Sequence, residues 1–122
     1  MNDAALAALE QIGESHRIAT CLPVVLEVQY SARNKQDFER ERKHFESFEL
    51  LDITRDVSDY AIELQWLLAK RGQHRIPTPN VMIAAAAAVH DVPLLHYDHD
   101  FDLIAEVTGQ PTEWILARGT GH

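Results

Sequence analysis

The chain of 122 residues has only one cysteine, Cys21, so no internal disulfide can brace it and a reducing, cytoplasmic setting is the simplest expectation. Long apolar runs are missing as well. The longest, Val81 to Val89, is about half of what spans a bilayer, and the N-terminus has no basic stretch leading into an apolar one. A protein with no membrane segment is expected. Positive charge is in deficit, with 19 acidic against 11 basic residues and a net charge of −8. That balance argues against a general nucleic-acid coat protein. It leaves room for an RNA enzyme, which needs carboxylates for metal and only a local basic patch for the strand.

What the sequence does have is a 46% hydrophobic content, enough for one α/β domain, expected over residues 1–116 with 117–122 as a flexible tail. Apolar residues recur at helical spacing from Ala4 to Ile12. A strand is read from Arg17 to Cys21. Pro23 then opens a helix through Tyr30, and a charged helix starts near Lys35. A second strand covers Glu49 to Ile53, followed by an amphipathic helix from Ser58 to Lys70. Pro77 and Pro79 mark a rigid turn. Asn80 is expected to cap a helix containing the five alanines Ala84 to Ala88, whose small side chains suit close packing on a sheet. Val92 to Tyr97 reads as a buried strand, Phe101 to Val107 as a helix, and Thr112 to Leu116 as an edge strand. Helices alternating with strands predict a mainly parallel sheet with helices on both faces, and such sheets carry their sites at the carboxyl ends of the strands.

Asp98 and Asp100 stand where a buried strand emerges. In an extended segment residues two apart point the same way, so the two carboxylates read either as a hard-cation site or as an exposed turn. Asp102 falls in a first helical turn and reads as structural. Glu27 is an isolated acid in the apolar stretch Val24 to Tyr30. It either lies on the helix's wet face or meets a cation. His96 and His99 superficially suggest zinc, yet their rings would leave a strand on opposite faces, and the oxygen donors nearby suit Mg²⁺ or Mn²⁺ better. Of the two basic groups, the run from Arg33 to Lys43 is interleaved with acids and reads as a solvated helix. Lys70, Arg71, His74 and Arg75 form the better phosphate-binding group.

Arg75 to Ala85, then Leu94-Leu95-His96-Tyr97-Asp98-His99-Asp100-Phe101, resembles the C-terminal half of PIN-domain ribonucleases of the VapC toxin type. Ile18-Ala19-Thr20 before Leu26-Glu27-Val28 is similar to the family's early strand and acid-bearing helix. The resemblance implies a PIN-like three-layer sandwich, a mainly parallel sheet flanked by helices. It also implies a Mg²⁺- or Mn²⁺-dependent endoribonuclease of a type II toxin–antitoxin system, with an RNA substrate, a VapB-type antitoxin and a homodimer as partners. Glu27, Asp98 and Asp100 take the family's catalytic and metal-binding acidic positions. Asn80 joins them as a metal-site residue, and Arg71 and Arg75 are the expected RNA contacts.

Two positions depart from the family pattern. Asn80 stands where the family usually carries aspartate, keeping an oxygen donor but no charge. The family's first central strand and its terminal aspartate have no counterpart before Ala4, so that strand is expected to be missing, the chain alone to be unstable, and the true start to lie upstream. Both departures keep a catalytically silent PIN scaffold that binds antitoxin or RNA in view. A phosphoryl-transfer enzyme of the haloacid-dehalogenase type also places Asp-x-Asp after a strand, but here the motif is C-terminal and no lysine segment follows it.

Overall fold

In a computed structural model that describes residues 3–116, helices and short strands alternate along the chain. The order is α1 (Asp3–Gly13), β1 (Ala19–Cys21), α2 (Leu22–Tyr30), α3 (Lys35–Glu46), β2 (Glu49–Leu51), α4 (Arg55–Ala69), α5 (Thr78–Val89), β3 (Leu94–His96), α6 (Asp100–Thr108) and β4 (Thr112–Trp114). The tail expected at 117–122 lies outside the described residues.

The strands pair in parallel, as expected for α/β alternation, but they form two ribbons. β1 runs beside β2 with Ala19 opposite Glu49, and β3 beside β4 with Leu94 opposite Thr112. Each strand is shorter than the segment read from the sequence. Helix signals override the ends: α2 starts directly after Cys21 because Pro23 suits a first helical turn. α4 likewise begins at Arg55, earlier than the Ser58 expected, because Thr54 Oγ1 accepts the Val57 N–H at 3.3 Å and fixes the cap there. Asn34 caps α3 in the same way, accepting the Asp37 N–H at 2.9 Å.

α5 is the centre of the core. Its alanines Ala84 to Ala87 are buried, and the close packing expected on a sheet is made against helices α4 and α6 as well as against strands. Ala84 and Ala87 pack with Leu64 and Leu68 of α4, Leu94 of β3, and Phe101 and Ile104 of α6. Ala85 and Ala86 pack instead with Cys21 of β1 and Val57 of α4. Methyl side chains let α5 approach its neighbours closely on both flanks, while Leu64, Leu68 and Ile104 supply the apolar area, each contributing about 1.5–3 kcal/mol by burial. α6 ends at Gly109, whose φ of 70° is the left-handed cap that glycine adopts without strain, and the chain then turns into β4. That turn brings Trp114 beside His96. Among the described residues no helix is long and apolar enough to cross a membrane.

Candidate metal site at the end of β3

β3 buries Leu94 and His96, and the backbone leaves the strand at Tyr97. Asp98 lies in the turn that follows and Asp100 opens α6, so the two acids do not share an extended segment as the spacing predicted. A helix end brings them together instead. Asp98 Oδ1 accepts the Asp100 N–H at 2.9 Å, satisfying the first N–H of α6, and both carboxylates sit at the positive end of the helix.

Asn80 is not the cap of α5. Pro77 occupies that position, Pro79 lies in the first turn with no N–H to satisfy, and the helix already runs at Asn80. Its side chain is thereby freed to face the acids. Asn80 Nδ2 donates toward Asp98 Oδ2 at 3.4 Å and Asp100 Oδ2 at 3.3 Å, all three groups being half-buried. Side chains from α5, the turn and α6 thus converge on one point.

The other expected residues lie elsewhere. Glu27 is exposed on α2, and among the described residues no group of three or more His, Cys, Asp or Glu side chains is placed to hold one ion. Glu27 is thus not grouped with Asp98 and Asp100 in this arrangement. Arg71 is half-exposed and lies 3.8 Å from Glu106 on α6. Arg75 is exposed in the turn leading into α5 and has no ion pair among the described residues.

The two histidines do not diverge. His96 is buried, with its side chain 1% exposed, and Nε2 lies 3.9 Å from Asp102 Oδ1. His99 is exposed, yet α6 turns it back so that Nδ1 lies 3.4 Å from Asp102 Oδ2. Asp102 thus has more to do than favour the helix dipole, since it also accepts the Trp114 indole N–H at 3.1 Å. Nothing in the spacing reveals that link, because it depends on β4 lying beside β3.

The converging donors are oxygens of two carboxylates and, after rotation of its amide, of Asn80. Such hard donors fit Mg²⁺ or Mn²⁺; Mg²⁺ keeps several waters and takes one or two carboxylates from a protein. The residues present therefore fit a hydrated divalent ion.

With this geometry in place, comparison with known proteins defines the class. The PIN domain family model matches residues 1–107. The chain belongs to the PIN-domain family. It is 42% identical over 113 residues to Ribonuclease VapC51 of Mycobacterium tuberculosis, covering 93% of this chain and 82% of that protein. It is 37% identical over 114 residues to Ribonuclease VapC21 of the same species, covering 92% and 83%. The fold is similar to that in the crystal structure of VapBC2 from Rickettsia felis bound to a DNA fragment from its promoter, with a TM-score of 0.71 at 20% identity over 93% of this chain and 86% of that one. VapBC-1 from nontypeable Haemophilus influenzae gives a TM-score of 0.69 at 16% identity over 88% and 84%.

Proposed function

We propose that this PIN domain is a divalent-metal-dependent endoribonuclease of a toxin–antitoxin system, in which Asp98 and Asp100 hold Mg²⁺ or Mn²⁺ against an RNA phosphate. The observation that carries this reading is the convergence of both carboxylates on the Asn80 amide. When bound, the ion supplies charge that polarises the phosphodiester and lowers the pKa of an attacking water. The protein's own part is placement. Asp98 fixes the start of α6, Asp100 completes the pair, and Asn80 bears on the ion after its amide rotates to present Oδ1. Glu27 acts through water rather than by direct contact. Arg75, exposed and uncommitted to a carboxylate, is the better phosphate contact, while Arg71 must first leave Glu106.

The proposed partners are an RNA substrate, a VapB-type antitoxin and a second copy of this chain, in the cytoplasm. Relatives named as VapC ribonucleases and structural neighbours that are VapBC complexes support this reading. A silent scaffold is the second reading, favoured by the uncharged Asn80 and by the absence of a third acid grouped with Asp98 and Asp100 among the described residues. Incubating the protein with RNA in Mg²⁺, in EDTA and with added antitoxin separates the two. Cleavage that needs Mg²⁺ and is suppressed by antitoxin supports the nuclease. Intact RNA under all conditions, with antitoxin still bound, supports the scaffold.

A further inference from the structure

A buried histidine between two rings is an expensive way to fill space, since an aliphatic side chain would pack there without burying a polar ring. His96 ends β3 with its ring centroid 5.2 Å from that of Phe101 and 4.8 Å from that of Trp114. Its Nδ1 accepts the Asp98 backbone N–H at 3.3 Å. A nitrogen that accepts carries no proton, which leaves the ring's hydrogen on Nε2. That nitrogen faces the Asp102 carboxylate at 3.9 Å, and Asp102 is itself fixed by the Trp114 indole. Parallel pairing of β3 with β4 sets His96 opposite Trp114, and the Ile115 N–H donates to the His96 carbonyl at 2.7 Å. β4, α6 and the Asp98 turn are therefore tied together through one imidazole.

We propose that His96 is a positioning residue for the metal site. With Nε2 facing Asp102 and its ring packed on Trp114, it fixes the Asp98 amide, and with it the turn that sets Asp98 and Asp100 face to face. This rests on the reading of those acids as metal ligands. His96 touches neither ion nor substrate. Its effect passes through the backbone of Asp98, whose side chain accepts the Asp100 N–H. Partners of this kind typically alter metal affinity by about 10–100-fold when removed.

The test is Mn²⁺ binding, followed by the loss of the free-ion electron paramagnetic resonance signal, for the wild type, His96→Asn, His96→Leu and Trp114→Phe, with thermal melting of each metal-free protein. Asparagine keeps an acceptor near the place of Nδ1; leucine keeps only bulk. The expected result is affinity within about threefold of wild type for His96→Asn and a loss of at least about tenfold for His96→Leu. Trp114→Phe, which keeps the ring but removes the indole donor, should fall between them. Equal affinity for wild type and His96→Leu overturns the proposal, and so does an equal loss in the asparagine and leucine variants. A wild type that binds no Mn²⁺ overturns the metal reading separately. The brace itself is then decided by ¹⁵N spectra of the His96 ring and by hydrogen exchange at the Asp98 amide. An Nε2–H tautomer, with amide protection lost in His96→Leu, upholds it. An Nδ1–H tautomer or an unprotected amide sinks it. Should His96→Leu fail to fold, the Trp114→Phe affinity and the ring tautomer carry the decision.

Discussion

Asn80 sets its side-chain nitrogen 3.3 Å from Oδ2 of Asp100, placing a neutral donor where two acids need positive charge. The same nitrogen also reaches Asp98. In the metal-free protein the amide eases repulsion between the carboxylates, and an ion entering the site must displace or rotate it. Asn80→Asp removes the donor and adds a charge. The expected outcome is Mg²⁺ affinity raised about tenfold, from one more unit charge near a divalent ion in a water-like dielectric. Without metal the same variant should melt at a lower temperature than wild type, because three acids then face one another. Calorimetric titration and melting check both; equal affinities would place residue 80 outside the ion's influence.

Packing on α5 gives a second prediction. Ala85 is fully buried between β1 and α4, so Ala85→Leu has no space to enter and should destabilise by about 1–3 kcal/mol. Ile62, 71% exposed on α4, is the contrast: Ile62→Ala should change stability by less than about 0.5 kcal/mol in the monomer. Urea denaturation of the two variants is the measurement. A larger effect at Ile62 would mean that another surface covers it.

Most of this architecture is legible in the sequence because it rests on periodicity and punctuation. The apolar spacing within Ser58 to Lys70, the alanine run and Gly109 mark most of α4, α5 and the end of α6 without help from the fold. The site is legible only in part. Asp98 and Asp100 stand out as acids after an apolar run, but their arrangement depends on where α6 starts, and that is decided by capping within the turn. Asn80 looks like a helix cap in sequence, yet two prolines beside it move the cap to Pro77 and turn its amide toward α6. The His96, Asp102 and Trp114 cluster is invisible to spacing, because it depends on parallel pairing between β3 and β4.

Acid should act on α3. The Arg33 side chain hydrogen-bonds to Asp37 at 3.1 Å and is the main cause that holds its carboxyl below the ordinary value of 3.8, with the neighbouring Arg40 adding to it. A depressed folded value means that the stabilisation is present above the unfolded value and is lost as pH falls through the folded one. Asp37→Ala should therefore melt slightly below wild type at neutral pH, and the gap should close as pH drops below the usual carboxylate range. A gap that stays constant with pH would assign the effect to packing or helix propensity.

Cys21 is 3% exposed and burial pushes its thiol up, so the thiolate is scarce at neutral pH. Thiol reagents should label the folded protein slowly and the denatured protein quickly. Rapid labelling under native conditions would show that β1 opens readily.

The central claim is that Asp98 and Asp100 act as one metal-dependent nuclease site, and the direct measurement is RNA cleavage in Mg²⁺ by wild type, Asp98→Asn and Asp100→Asn. Each substitution nearly preserves shape while removing one negative charge from the pair. Wild type should cleave only with a divalent ion, and each variant should be slower by at least about a hundredfold, several kcal/mol of charge stabilisation being at stake. Cleavage that survives EDTA, or that either variant retains in full, would contradict the account.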